Sequence, residues 1–195
     1  MIYMSKKYTT ITSGEFRSRK IITPDTSATH PMGSREKLAL FNALETVRGD
    51  LRGVSDALDL YCGSGALGLE ALSRGVKKVV FVDENQKAVM ATRQNIASLN
   101  LGSQTIVLKA KISHDFSDRF SDFKGMFQLI FVDPPYDRYP DDLSYLSALL
   151  EQNGIAVISH PRSVDAEDIA KDTGLSLAQT KSYAAANLSF LKKMA

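Results

Sequence analysis

Asp59-Leu60-Tyr61-Cys62-Gly63-Ser64-Gly65-Ala66-Leu67-Gly68 sets the reading of the whole chain. A strand-like run, Ser55 to Leu58, leads into it, and a helix-like run, Leu69-Glu70-Ala71-Leu72, leads out. A strand that turns into a helix through glycines presents the helix's unpaired N–H groups and positive dipole end, and lets a ligand approach the backbone closely. A second stretch, Asp133-Pro134-Pro135-Tyr136, follows the apolar run Leu129-Ile130-Phe131-Val132. In an open parallel sheet, ligands bind outside the carboxyl ends of the strands. With both strands in one sheet, the two stretches face one cleft, the first toward a cofactor and the second toward a substrate.

Outward from these motifs, strand and helix patterns alternate. Strands are expected at 55–60, 77–82, 104–109, 128–132 and 154–159, and helices at 66–74, 86–99 and 141–152. The strands read as apolar runs, such as Val79-Val80-Phe81-Val82, which suits a parallel sheet covered on both faces. After a helix at 165–172, runs at 175–183 and 187–192 are close enough to pair antiparallel. Upstream, Ser34 reads as the N-cap of a helix with Leu38, Leu40, Phe41, Leu44 and Val47 on its apolar face, stopped by Gly49. Before it, Thr9 to Thr12 and Lys20 to Thr23 suggest a small hairpin. The expected organisation is a basic extension over 1–34 and an α/β domain over 35–195.

At 195 residues with ordinary apolar content, the chain suits one core. The net charge of +2 says little, but Arg17, Arg19 and Lys20, with Lys6 and Lys7, crowd an opening segment whose one acid is Glu15. They are candidate phosphate contacts, against the alternative of a solvated basic face. The single cysteine, Cys62, leaves no intrachain disulfide and fits a reducing compartment. No apolar stretch approaches the roughly 18 residues that span a bilayer, and Met1 to Tyr8 has no signal-peptide core. A cytoplasmic protein without membrane attachment is therefore expected. His30, His114, His160 and Cys62 show no H-x-x-x-H or C-x-x-C spacing, so no metal site is expected.

Gly63, Gly65 and Gly68 also satisfy the G-x-G-x-x-G dinucleotide fingerprint, with Asp83 about twenty residues on to accept from ribose hydroxyls. The glycines alone do not separate a nicotinamide enzyme from a nucleoside-binding methyltransferase. Asp59 tilts the choice: a carboxylate four residues before Gly63 repels a pyrophosphate in a low-dielectric cleft and suits a cationic ligand. Its alternative reading is a solvated acid or a cap for the following turn. Cys62 reads as a small loop residue rather than a nucleophile. At the second stretch, two prolines stiffen the turn while their carbonyls remain. Asp133 and the Pro134 carbonyl suit the two N–H groups of an exocyclic amine, with Pro135 fixing the turn and Tyr136 stacking on the base. This holds the amine lone pair toward a methyl donor by positioning and electrostatics.

The chain resembles the class I S-adenosylmethionine-dependent methyltransferases, and within them the bacterial small-subunit ribosomal RNA guanine-N2 methyltransferases. The resemblance covers nearly the whole chain. It rests on DLYCGSGALGLEALSRG from Asp59, Asp83 in VVFVDENQKAV, Asp133 to Tyr136, SGEFRSRKI near the N-terminus, REKLALFNAL from Arg35, and Ile158-Ser159-His160 with Leu188-Ser189-Phe190. It implies a Rossmann-like, seven-stranded, mostly parallel sheet ending in an antiparallel hairpin, with S-adenosylmethionine as cofactor. The candidate cofactor residues are Asp59, Tyr61, Gly63, Gly65, Asp83 and His30. The implied partner is ribosomal RNA or the small ribosomal subunit. Three departures stand out: His30-Pro31-Met32 replaces the family's Arg-Pro-Thr, Lys109-Ala110-Lys111 lies where many relatives place an adenine-binding acid, and Tyr183-Ala184-Ala185-Ala186 replaces a glycine turn. For the adenine, a backbone carbonyl or Asp115 is the substitute. The residues themselves leave open an adenine or cytosine amine in DNA or another RNA, and a noncatalytic RNA-binding module.

Overall fold

A computed structural model describes residues 8–24, 32–183 and 186–194. The N-terminal part gives β1 (Tyr8–Thr10), β2 (Lys20–Ile22) and α1 (Ser34–Arg48). The alternating part gives β3 (Asp56–Leu60), α2 (Ala66–Ser73), β4 (Lys78–Asp83), α3 (Gln86–Ser98), β5 (Thr105–Lys109), α4 (Phe116–Arg119), β6 (Phe127–Val132), α5 (Tyr145–Leu149) and β7 (Leu150–His160). The chain then adds α6 (Ala166–Thr173), β8 (Ser176–Ser182) and β9 (Asn187–Lys192).

Seven strands form one sheet in the order β5-β4-β3-β6-β7-β9-β8. The first five run parallel, and β9 pairs antiparallel with both β7 and β8. From β3 the chain winds out to β5 and returns to the other side of β3 at β6, so β3 and β6 flank the topological switch point where ligands bind in such sheets. Alternate strand residues face opposite sides. Ala57, Val79, Phe81, Leu129 and Phe131 pack under α1, α2 and α3, while Leu58, Leu60, Val82, Ile130 and Val132 pack with α4, α5 and α6. Both faces are covered, which is why the strands are apolar throughout.

The short hairpin β1–β2 pairs Tyr8 with Ile22 and Thr10 with Lys20. It is fastened to the sheet domain: Ile11 and Ile21 are buried in the same core as α1 to α3. Glu70 on α2, fully buried, accepts from the Thr12 and Ser13 amides and the Thr12 hydroxyl, at 2.7, 2.9 and 2.7 Å. Lys37, also fully buried, lies 3.4 Å from Glu70 and donates to Thr10 O at 2.7 Å.

Three local expectations are corrected. The N-cap of α1 is Gly33, whose N–H donates to Glu36 Oε2 at 2.9 Å; Ser34 is the first helical residue and its hydroxyl pairs with Thr10 Oγ1. The buried face of α1 includes Lys37, whereas Leu38 is exposed, because the Glu70 carboxylate draws the lysine inward. The helix expected over 141–152 contracts to α5. The Asp172 and Asp142 side chains take the Leu143 and Ser144 amides before it, and Leu150, extended at φ -72° and ψ 138°, starts β7 directly after it; Asn153, at φ 64°, lies at an irregularity within that strand. Lys193 Nζ donates to the Ser147 and Leu150 carbonyls at that helix end.

Candidate active site

The loop after β3 is shaped by unusual backbone. Tyr61 has φ 58°, a left-handed conformation costly for a non-glycine residue and common where a site over-determines the chain. Gly65, at φ 76°, is the N-cap of α2 and gives it no side-chain cap. Gly68 lets α2 lie on β4, since a β-carbon there would collide with the Phe81 ring. Above Gly63 the nearest atom to such a carbon is Tyr61 O, at 4.0 Å, so the loop is open to a ligand at that point.

Two carboxylates hold this loop. Asp59 is 1% exposed, and its Oδ2 accepts from the Gly68 N–H at 2.9 Å. It thus serves an amide in the first turn of α2, the cap that Gly65 lacks. Burial pushes its carboxyl well above the ordinary carboxylate range; the Gly68 amide opposes this, and Asp133 and Asp83 add to it. Asp83 Oδ2 accepts from the Gly63 N–H at 2.9 Å and Oδ1 from the Asn85 N–H at 2.8 Å. Burial raises the Asp83 carboxyl and these amides lower it. Each carboxylate oxygen has a second lone pair, so both retain capacity for hydroxyl donors.

α3 contributes two residues that the sequence reading missed. Thr92 Oγ1 donates to Gly63 O at 3.0 Å. Asn95 Nδ2 donates to Ser64 O and Ile22 O, both at 2.9 Å, and its Oδ1 accepts from the Ile22 N–H at 2.8 Å. The available signal was a pair of polar residues on the apolar stripe of α3 with Ala88, Val89 and Ile96. Cys62 is buried, which pushes its thiol well above the ordinary range, in keeping with a loop-filling role.

The second motif lies beside the first because Leu60 pairs with Val132, and Val132 with Ile158. Tyr61 and Asp133 therefore follow neighbouring strand ends, and Ser159 lies beside them among the last paired residues of β7. Burial raises the Asp133 carboxyl to about 6; a hydrogen bond from Ser159 lowers it, and the Glu36 charge raises it. Pro134 is buried. Tyr136 is 40% exposed, with its hydroxyl 2.6 Å from Ser159 Oγ. Glu36 also acts on Tyr136 and Tyr183, so the start of α1 and the segment after β8 border the same site.

The basic residues lie elsewhere. Arg17, Arg19 and Lys20 are exposed at the hairpin, and Arg19 Nη2 donates to Ser98 O at 3.0 Å, at the far end of α3. Residue Asn85, bound to Asp83, caps the near end. Asn95, which holds Ser64 O and Ile22, lies one helical turn before Ser98, so the Arg19 contact stands about one turn of α3 from the point where the glycine loop is fastened. His30 lies outside the described residues. His160 is fully buried and bridges Pro161 O and Ser189 Oγ, and His114 is exposed. Asp115, the suggested adenine partner, is engaged by the Ser113 hydroxyl at 2.6 Å and by Arg119 at 3.2 Å. Among the described residues, no group of three His, Cys, Asp or Glu is placed to hold a metal, and no helix is long and apolar enough to cross a membrane.

A family model described as Conserved hypothetical protein 95 matches residues 9–192. The Bacillus subtilis protein named "Putative rRNA methyltransferase YlbH" is 30% identical over 192 residues, 94% of this chain and 98% of that protein. Ribosomal RNA small subunit methyltransferase D of Escherichia coli is 34% identical over 145 residues, 74% of this chain and 67% of that protein. The solved structure titled "Putative methyltransferase yhhF from Escherichia coli" superposes with a TM-score of 0.72 at 26% identity, over 96% of this chain and 99% of that one.

Proposed function

The chain belongs to the family described as Conserved hypothetical protein 95, and from that premise we propose that it transfers a methyl group from S-adenosylmethionine to the exocyclic N2 amine of a guanine in small-subunit ribosomal RNA. The residues present fit that cofactor. The space over Gly63 accepts a close ligand, the Asp83 carboxylate keeps lone pairs for ribose hydroxyls, and the first turn of α2 has no side-chain cap from Gly65. Tyr61, Gly65 and His30 complete the cofactor set, and Asp59 supports it from beneath by bracing α2. When bound, the cofactor supplies an electrophilic methyl on a cationic sulfur.

The chain's own groups do the rest by placement. Asp133 and the Pro134 carbonyl accept the two N–H groups of the amine, Pro135 keeps the turn rigid, and the Tyr136 ring covers the base. With its carboxyl near 6, Asp133 is ionised at neutral pH and accepts a hydrogen bond. The same value lets it take the proton that the amine sheds once the N–C bond has formed. Extruding the guanine from a stack costs a few kcal/mol, least in a loop or single strand. Arg17, Arg19 and Lys20 offer phosphate contacts at the hairpin, whose Ile22 shares the Asn95 side chain with Ser64 of the glycine loop, so the bound RNA or ribosomal subunit meets the hairpin beside the crevice.

The strand register that joins the Asp133 turn to the glycine loop at the switch point carries this reading. The test is radiolabelled methyl transfer to unmodified small-subunit ribosomal RNA, unmodified small subunits and unmethylated DNA, with Asp133→Ala alongside. Label in RNA or subunits that vanishes in the variant is expected. Label in DNA alone, or full transfer by Asp133→Ala, overturns the reading.

A further inference from the structure

β7 delivers a hydroxyl between the two side chains that receive the base. Ser159 follows Ile158, the register partner of Val132, so the sheet itself sets it beside Asp133. It is 2% exposed, with its Oγ 2.6 Å from the Tyr136 hydroxyl oxygen, and its hydroxyl acts as a donor on the Asp133 carboxyl, lowering it. A serine has one hydrogen and two lone pairs, and an ionised carboxylate only accepts. Both bonds are made in one arrangement: Ser159 donates to Asp133, and Tyr136 donates to Ser159.

We infer that Ser159 is a positioning residue whose single hydroxyl fixes the Asp133 carboxylate and the Tyr136 ring relative to each other before the base arrives. The inference rests on the methyl-transfer reading above. Preorganised acceptors need no rearrangement at the moment of reaction, and an ångström of misplacement is costly. The other groups facing Asp133 give it no comparable support. Glu36 on α1 is an acid that disfavours its ionised form, Asp59 on β3 is a second carboxyl coupled to it, and Tyr136 reaches Ser159. Ser159 is the donor that favours the ionised carboxylate.

The experiment is the pH dependence of single-turnover methyl transfer to unmodified small subunits by the full chain and by Ser159→Ala, Ser159→Thr and Tyr136→Phe. S-adenosylhomocysteine binding is followed in parallel by thermal shift. For the unaltered protein the acid limb is expected near pH 6. In Ser159→Ala it moves up by about one pH unit, the equivalent of a lost hydrogen bond to a charged group, with cofactor-product binding retained. Ser159→Thr restores the limb, and Tyr136→Phe slows transfer without moving it. Ser159→Cys keeps the packing with a weaker donor and gives an intermediate limb, which covers a failure of the alanine variant to fold. An unmoved limb in an active Ser159→Ala or Ser159→Cys overturns the positioning role. No transfer by the unaltered protein overturns the methyl-transfer reading instead.

Discussion

Replacing Asp133 with asparagine is expected to abolish methyl transfer and to stabilise the fold. Burial and the Glu36 charge hold this carboxyl at about 6, above its ordinary 3.8. Below about pH 4 it is protonated in both folded and unfolded chains and costs nothing. Between pH 4 and 6 the unfolded chain ionises first, so stability falls as pH rises; above 6 the full cost is present. At about 1.4 kcal/mol per tenfold change in proton affinity the cost reaches at most about 3 kcal/mol. Asp133 keeps some solvent contact, which screens it and lowers the expectation to between about 1 and 3 kcal/mol. For a chain of this length that is a gain of roughly 2–10 °C in Tm at pH 7.5. At pH 4.5, where only part of the ionisation difference has developed, the gain falls to about a third. Calorimetric melts of both proteins at the two pH values measure it. A variant less stable at pH 7.5, or a gain that does not depend on pH, refutes the argument that the carboxyl is held ionised against its surroundings.

Other perturbations test the scaffold and the surface. Gly68→Ala drives a β-carbon into the Phe81 ring and is expected to cost about 1–3 kcal/mol by urea denaturation, with weaker S-adenosylhomocysteine binding because α2 must shift. Glu70→Ala strands the buried Lys37 ammonium and the Thr12 and Ser13 amides; a loss of about 3–5 kcal/mol is expected, with new proteolytic cleavage between residues 8 and 24. In RNA-binding titrations, Lys20→Ala is expected to lower the slope of log affinity against log salt by about 0.7–0.9. Arg19→Ala is expected to lower it by a similar amount, because one hydrogen bond to the neutral Ser98 carbonyl leaves the charge of the exposed guanidinium in place.

The two motifs, the alternation and the apolar strands were legible in the sequence because each depends on local chemistry. Glycines mark a backbone that must turn tightly, prolines mark a stiff turn, and continuous apolar runs mark strands covered on both faces. Asp59 was legible as important, yet its placement under α2 was not, since the choice between solvent and the Gly68 amide depends on how closely α2 lies on β4. Nothing in the sequence singled out Lys37 or Glu70; only the docking of the hairpin on α2 makes them a buried pair. α5 was overextended because helical periodicity does not register the pairing that draws Leu150 into β7 beside Phe127 or the carbonyls taken by Lys193. Arg19 read as a phosphate contact, and the tertiary structure adds that its Nη2 also reaches the Ser98 carbonyl at the end of α3. Ser159 was legible as part of the Ile158-Ser159-His160 resemblance, but with no role attached to its hydroxyl. By itself the sequence determined the fold class and the two strand-end motifs, which are properties of neighbouring residues. The tertiary structure decided that Ser159 stands between Asp133 and Tyr136, because strand register, a relation between segments distant in the chain, sets which side chains meet.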